Sequence, residues 1–80
     1  MTRDTILAGI AEVAREHLDF RGEIDPGQRL VEDLGLDSIR LLVLAAEVEN
    51  HFRVALSPED DARIRTVGDL ARVVEERLAG

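Results

Sequence analysis

Leu34-Gly35-Leu36-Asp37-Ser38-Ile39-Arg40-Leu41-Leu42-Val43-Leu44 marks the change from a polar, glycine-bearing loop to an apolar helical run, and the organisation of the chain follows from that change. Gly35 permits a backbone conformation that a Cβ disfavours, so the chain can turn sharply into the helix. Asp37 has the short acceptor side chain of an N-cap, able to bind a first-turn N–H and to oppose the helix dipole. Ser38 then places a hydroxyl at a helix start, beside unpaired N–H groups, in surroundings that suit a covalently attached phosphate. From Ile39 to Phe52 the residues Leu41, Leu44, Ala45, Val48 and Phe52 recur at helical spacing and predict an inward stripe. Ile39, Val43 and Ala46 form a second apolar strip bordering solvent, with Arg40, Glu47 and Asn50 placed on the solvent side.

Upstream, Ile6, Leu7, Ile10, Val13, Ala14 and Leu18 predict an amphipathic helix, with Gly9 its one weak position and Arg3, Glu12, Arg15 and Glu16 largely on the other side. Residues 19–37 hold Gly22, Pro26, Gly27 and Gly35 together with four aspartates, a turn-rich loop that Leu30, Val31, Leu34 and Leu36 pin to the helices. A loop of this length points to function. Downstream, Ser57-Pro58-Glu59-Asp60 has a cap residue, a proline at the first helical position and an acid three residues after the cap, which predicts a short helix. Thr66-Val67-Gly68-Asp69 repeats the capping logic, and Val67, Leu70, Ala71, Val74 and Leu78 give a final stripe. The expected fold is all-α, a small four-helix bundle of three major helices plus a short helix III, in one domain over residues 1–80.

Eighty residues leave little room for an elaborate active site. A formal net charge of −7 repels nucleic acid and anionic lipid, so basic patches on other proteins are the expected partners. All ten basic residues are arginine. The absence of cysteine excludes disulfides, thiolate metal sites and a cysteine nucleophile, so any thiol chemistry must use imported sulfur. Met1-Thr2-Arg3-Asp4 opens directly into the amphipathic pattern without a signal-peptide core, and no apolar run is long enough to span a bilayer; a cytoplasmic monomer is expected. A Ser-His-Asp hydrolase is disfavoured because Ser38 and His51 sit at opposite ends of one helix, thirteen residues or about 20 Å apart. His17 and His51 each fall near a helix C-terminus, where imidazolium meets the dipole favourably. Glu59-Asp60-Asp61 suits a helix first turn and lacks calcium-loop spacing, so no metal site is expected. Glu12, Arg15, Arg72, Glu75 and Glu76 read as solvated faces with some local pairs.

The run Leu30-Val31-Glu32-Asp33-Leu34-Gly35-Leu36-Asp37-Ser38-Ile39, followed by Arg40-Leu41-Leu42, resembles the attachment motif of the acyl, aryl and peptidyl carrier proteins, and the order and lengths of the helices match that family over almost the whole chain. The resemblance implies that Ser38 receives 4′-phosphopantetheine from coenzyme A through a Mg²⁺-dependent phosphopantetheinyl transferase, with Asp37, Gly35 and Leu36 presenting it. The arm then carries its cargo as a thioester, loaded by a ligase or acyltransferase and handed to downstream biosynthetic enzymes. On this reading the chain is a free-standing carrier and no enzyme. Ile39, Arg40, Val43, Ala46 and Glu47 are the implied docking residues. Fatty-acid carriers of the bacterial type bear a run of acids down helix II, whereas Arg40, Val43, Glu47 and Asn50 stand there in this chain. Gly35-Leu36 also departs from the Gly-Gly of many peptidyl carriers. The motif is therefore closer to aryl carriers and to carriers of specialised polyketide or non-ribosomal peptide pathways, with a fatty-acid-synthesis carrier and a cofactor-free helical adaptor as the alternatives.

Overall fold

The computed structural model describes residues 2–80, leaving Met1 outside the described residues. Four helices follow in order: α1 (Arg3–Leu18), α2 (Ser38–Phe52), α3 (Pro58–Arg63) and α4 (Val67–Ala79). Each begins at a side-chain cap, because the first N–H groups of a helix have no carbonyl partner of their own. Thr2 caps α1 and Asp37 caps α2, while Ser57 with Asp60 and Thr66 with Asp69 form reciprocal capping boxes at α3 and α4.

Helices α1, α2 and α4 bury their apolar stripes against one another. Ile6, Ile10, Val13 and Ala14 meet Leu44, Val48 and Phe52, and Val67, Leu70, Ala71 and Val74 complete the core. Two expectations for α4 need correction: Leu78 is 39% exposed, and Val73, absent from the expected stripe, is buried. At Gly9 α1 packs tightly against the end of α2, since a Cβ there would lie 2.5 Å from Phe52 Cζ and 3.0 Å from His51 Nε2.

The long loop is clipped to the start of α4 by backbone hydrogen bonds. Leu30 N–H donates to Arg65 O (2.9 Å), Val67 N–H to Gln28 O (2.9 Å) and Gly68 N–H to Pro26 O (2.9 Å). Arg29 and Thr66 form an isolated antiparallel bridge within this clip. Leu30 and Leu36 are buried and Leu34 is half-buried, as the pinning role requires, whereas Val31 faces solvent.

Interhelical ion pairs join the local ones expected on the polar faces, of which Arg72–Asp69 (3.5 Å) is one. Arg3 pairs with Glu75 (2.6 Å) and Arg63 with Glu76 (2.9 Å), so Glu75 and Glu76 tie α4 to α1 and α3. The most protected of these groups is Asp60, whose carboxylate is 2% exposed and accepts from Arg77 and from Ser57 N–H (3.0 Å). The Arg77 guanidinium and then the Ser57 N–H hold its pKa down to about 2. A folded-state pKa below the unfolded value means that this contribution is complete above pH ~4 and is lost as pH falls toward 2. Thermal melts should therefore fall through that window in wild type and fall less steeply in Asp60→Asn. The comparison is made between the two proteins because acid also relieves the excess negative charge; parallel curves would show that Asp60 contributes nothing.

Candidate functional site

The site is built by a turn that stops abruptly. Asp33 N–H donates to Arg29 O (2.9 Å) and Gly35 N–H to Val31 O (3.0 Å), and the Asp33 carboxylate folds back to accept from Arg29 N–H (2.7 Å). That backbone bond and the Arg29 guanidinium keep the Asp33 pKa below its ordinary value. Gly35 then reverses the chain at φ +70°, a left-handed conformation that costs glycine little. Leu36 drops into the core, with its N–H on Leu30 O (3.2 Å), and fixes where α2 begins.

Asp37 caps α2 by accepting from Arg40 N–H at 2.8 Å. Its carboxylate is thus engaged with the backbone rather than acting as a base on the neighbouring hydroxyl. Ser38, the first helical residue, is exposed. His17 and His51 lie in the last turns of α1 and α2, and α2 alone separates Ser38 from His51 by about 20 Å. A neutral serine needs a positioned base to act as a nucleophile, and neither imidazole supplies one.

Beside Ser38 opens an apolar cleft of about 360 Å³ between α2, α3 and the start of α4. Leu41, Leu42, Leu44 and Ala45 of α2 line it together with Leu30, Leu56, Ile64 and Leu70, with Ser38 and Asp61 as its polar members. On the outer face of α2, Ile39 and Leu42 are 71% and 70% exposed and Ala46 is open to solvent. Arg40 is exposed as expected. Val43 and Glu47 are turned away from this face: Val43 packs against the core, and Glu47 is half-buried with His17 3.4 Å away on α1. The placement of Glu47 on the solvent side is corrected accordingly. Leu42, outside both expected apolar strips, belongs to both the cleft and the outer face.

Residues 4–74 match the family model described as the phosphopantetheine attachment site. The chain belongs to this phosphopantetheine-attachment family. It is 35% identical over 77 residues to the meromycolate extension acyl carrier protein of Mycobacterium leprae, covering 95% of this chain and 67% of the relative. It is 30% identical over 79 residues to the acyl carrier protein of an Exiguobacterium species, covering 98% and 100%. A solved structure described as an acyl carrier protein of Mycobacterium tuberculosis superposes with a TM-score of 0.65 at 38% identity, covering 96% of this chain and 93% of that one. The expected family and the helical fold are therefore established. Like its relatives this phosphopantetheine-attachment protein is an acyl carrier, a non-catalytic protein bearing covalent 4′-phosphopantetheine and served by a phosphopantetheinyl transferase and biosynthetic enzymes. Among the described residues no helix is long and apolar enough to cross a membrane.

The local chemistry fits such a group. Ser38 Oγ is open to an incoming enzyme, the first N–H groups of α2 offer donors to a phosphate, and the adjoining cleft is apolar. When bound, the arm supplies the thiol that the chain lacks. Asp37 contributes through the cap, so Asp37→Ala should lower stability by about 1 kcal/mol while Asp37→Asn stays within a few tenths of wild type. Urea midpoints of the three proteins check this, and equal loss in both variants would show that charge rather than capping is what matters.

Proposed function

We propose that Ser38 is the phosphopantetheine attachment residue and that the protein carries an aliphatic acyl intermediate as a thioester, with the chain lodged in the cleft beside that serine. The observation that carries this reading is the adjacency of an exposed helix-start hydroxyl to an apolar cleft. Burial of methylene groups in such a cleft is favourable by about 0.8 kcal/mol for each CH₂ fully removed from water, enough to hold an aliphatic chain against solvent. The names of the mycobacterial relatives refer to meromycolate extension, which supports an aliphatic cargo in this chain rather than the aryl or aminoacyl cargo of the specialised pathways considered from the motif. Ile39, Leu42 and Ala46, flanked by Arg40, form the surface on which the transferase, the loading enzyme and the downstream enzymes dock. Their exposure without any carboxylate among them suits partners that present apolar surface and an acceptor for Arg40.

Incubation with coenzyme A, Mg²⁺ and a broad-specificity phosphopantetheinyl transferase should add one phosphopantetheine per chain, and peptide mapping should place it on Ser38. Thioesters trapped in the native host and weighed should be aliphatic; an aryl or aminoacyl mass would overturn the cargo assignment, and well-folded protein left unmodified by several transferases would overturn the attachment itself.

A further inference from the structure

Helix α3 is unusual in how it is held. Pro58-Glu59-Asp60-Asp61-Ala62-Arg63 contains no large aliphatic or aromatic side chain, and its one buried residue is an aspartate. A short helix ordinarily stays on a bundle by burying an apolar stripe. Here the flanks are tied instead: Leu56 N–H donates to Glu49 Oε2 on α2 (2.8 Å), and beyond α3 Arg65 O accepts from Leu30 N–H (2.9 Å). Between these two tethers the helix is fastened to α4 through Asp60, whose Oδ2 accepts from Arg77 Nε (3.1 Å) and also from Arg77 Nη2. A second link lies farther out, where Arg63 donates to Glu76 through both terminal nitrogens (3.1 and 2.9 Å). The same segment supplies Leu56, Asp61 and Ile64 to the cleft beside Ser38.

We propose that the Asp60–Arg77 pair is a latch that positions α3 as the outer wall of the cargo cleft, so that this pair, itself outside the cleft lining, sets how well a bound acyl chain is shielded from water. The proposal rests on Ser38 attachment and on the cleft as the cargo site. Without Arg77 the Asp60 carboxylate would be charged, buried and unpaired in the docked position of α3, a state costly enough to favour release of the helix into water. Replacing the arginine therefore frees α3 to sample positions limited by its two end tethers and the outer Arg63–Glu76 link. The cleft gains solvent access while the α1–α2–α4 core keeps its packing. Asp60 and Arg77 are in this sense positioning residues, acting through Leu56 and Ile64.

The test compares chain lengths on the intact acyl-protein, made by transferring acetyl- or octanoyl-phosphopantetheine from the corresponding coenzyme A thioester, with hydroxylamine cleavage of the thioester as the readout. In wild type the octanoyl thioester should be cleaved more slowly than the acetyl one. In Arg77→Ala the octanoyl rate should rise about three- to tenfold with the acetyl rate unchanged, the shift expected when an open conformer gains about 1 kcal/mol. Arg77→Lys, which restores a cation, should recover most of the protection. Glu76→Gln, which cuts only the solvent-exposed outer link, should give a smaller rise of the same sign, and with Arg77→Lys it carries the comparison if Arg77→Ala does not fold. Unchanged octanoyl rates in folded Arg77→Ala and Glu76→Gln would overturn the latch, and so would equal acetyl and octanoyl rates in wild type. Both of those results leave Ser38 attachment standing, whereas failure of wild type to accept any acyl-phosphopantetheine refutes the attachment reading first.

Discussion

Ser38→Ala will abolish phosphopantetheine transfer completely while leaving the melting curve within about 0.5 kcal/mol of wild type. The two halves of that expectation have different origins. Ser38 is exposed and occupies the first helical position, but the cap of α2 is Asp37, so the lost hydroxyl leaves no buried partner unsatisfied and no helix end uncapped. Transfer, by contrast, needs an oxygen nucleophile at this point of the surface. The chain has only one other serine, Ser57, and its hydroxyl is occupied: it is half-buried, donates to Asp60 Oδ2 (3.1 Å) and accepts from Asp60 N–H (3.4 Å). Ser57→Ala is therefore the informative control, expected to lose stability and keep full modification. Intact mass after transfer, with chemical denaturation of the same samples, reads both properties. Modification of Ser38→Ala, or a large loss of its stability, would contradict the assignment.

The features legible in the sequence are those governed by local rules. Helix starts could be read because Asp37, Ser57 and Thr66 bond to N–H groups only three residues away, and Gly35 because a sharp reversal at that point needs a left-handed residue. The inward stripes of α1 and α2 followed from helical periodicity. What stayed hidden depends on which surfaces meet. The clip between residues 26–30 and 65–68 uses backbone groups that every residue type possesses, so no side-chain pattern announces it. Asp60 looked like one of three first-turn acids; only the docking of α3 against α4 separates it from Glu59 and Asp61 by burying it against Arg77. Glu47 turned out to face α1 and His17 because interhelical rotation, rather than polarity, decides where the border of a buried face falls. At the site itself, the cap at Asp37 and the helix start at Ser38 were legible, but the cleft was not, since its walls come from four separated segments.

Gly9→Val will destabilise the fold by about 3 kcal/mol, a large part of the roughly 4–12 kcal/mol that holds a domain of this size together. Read locally, a glycine in the middle of α1 is a defect, and replacing it with alanine should gain about 1 kcal/mol of helix propensity. Packing decides otherwise. A Cβ at this position would stand 2.5 Å from Phe52 Cζ and 3.1 Å from Phe52 Cε1, well inside the ~3.5–4.0 Å of ordinary carbon contacts, and 3.0 Å from His51 Nε2. The Phe52 ring is buried at the end of α2 and meets the His51 ring edge-on at 4.8 Å, so it has little freedom to yield. Gly9→Ala should therefore lose its propensity gain and finish about 1 kcal/mol below wild type, and the branched side chain of valine adds two more methyl groups to the same gap. Urea denaturation measures both, and a double-mutant cycle identifies the cause: with Phe52→Leu in the background the penalty of Gly9→Ala should shrink or reverse, because the ring atoms that oppose the new methyl are gone. A Gly9→Ala protein as stable as wild type, with no coupling to residue 52, would mean that α1 and α2 can part without cost at Gly9.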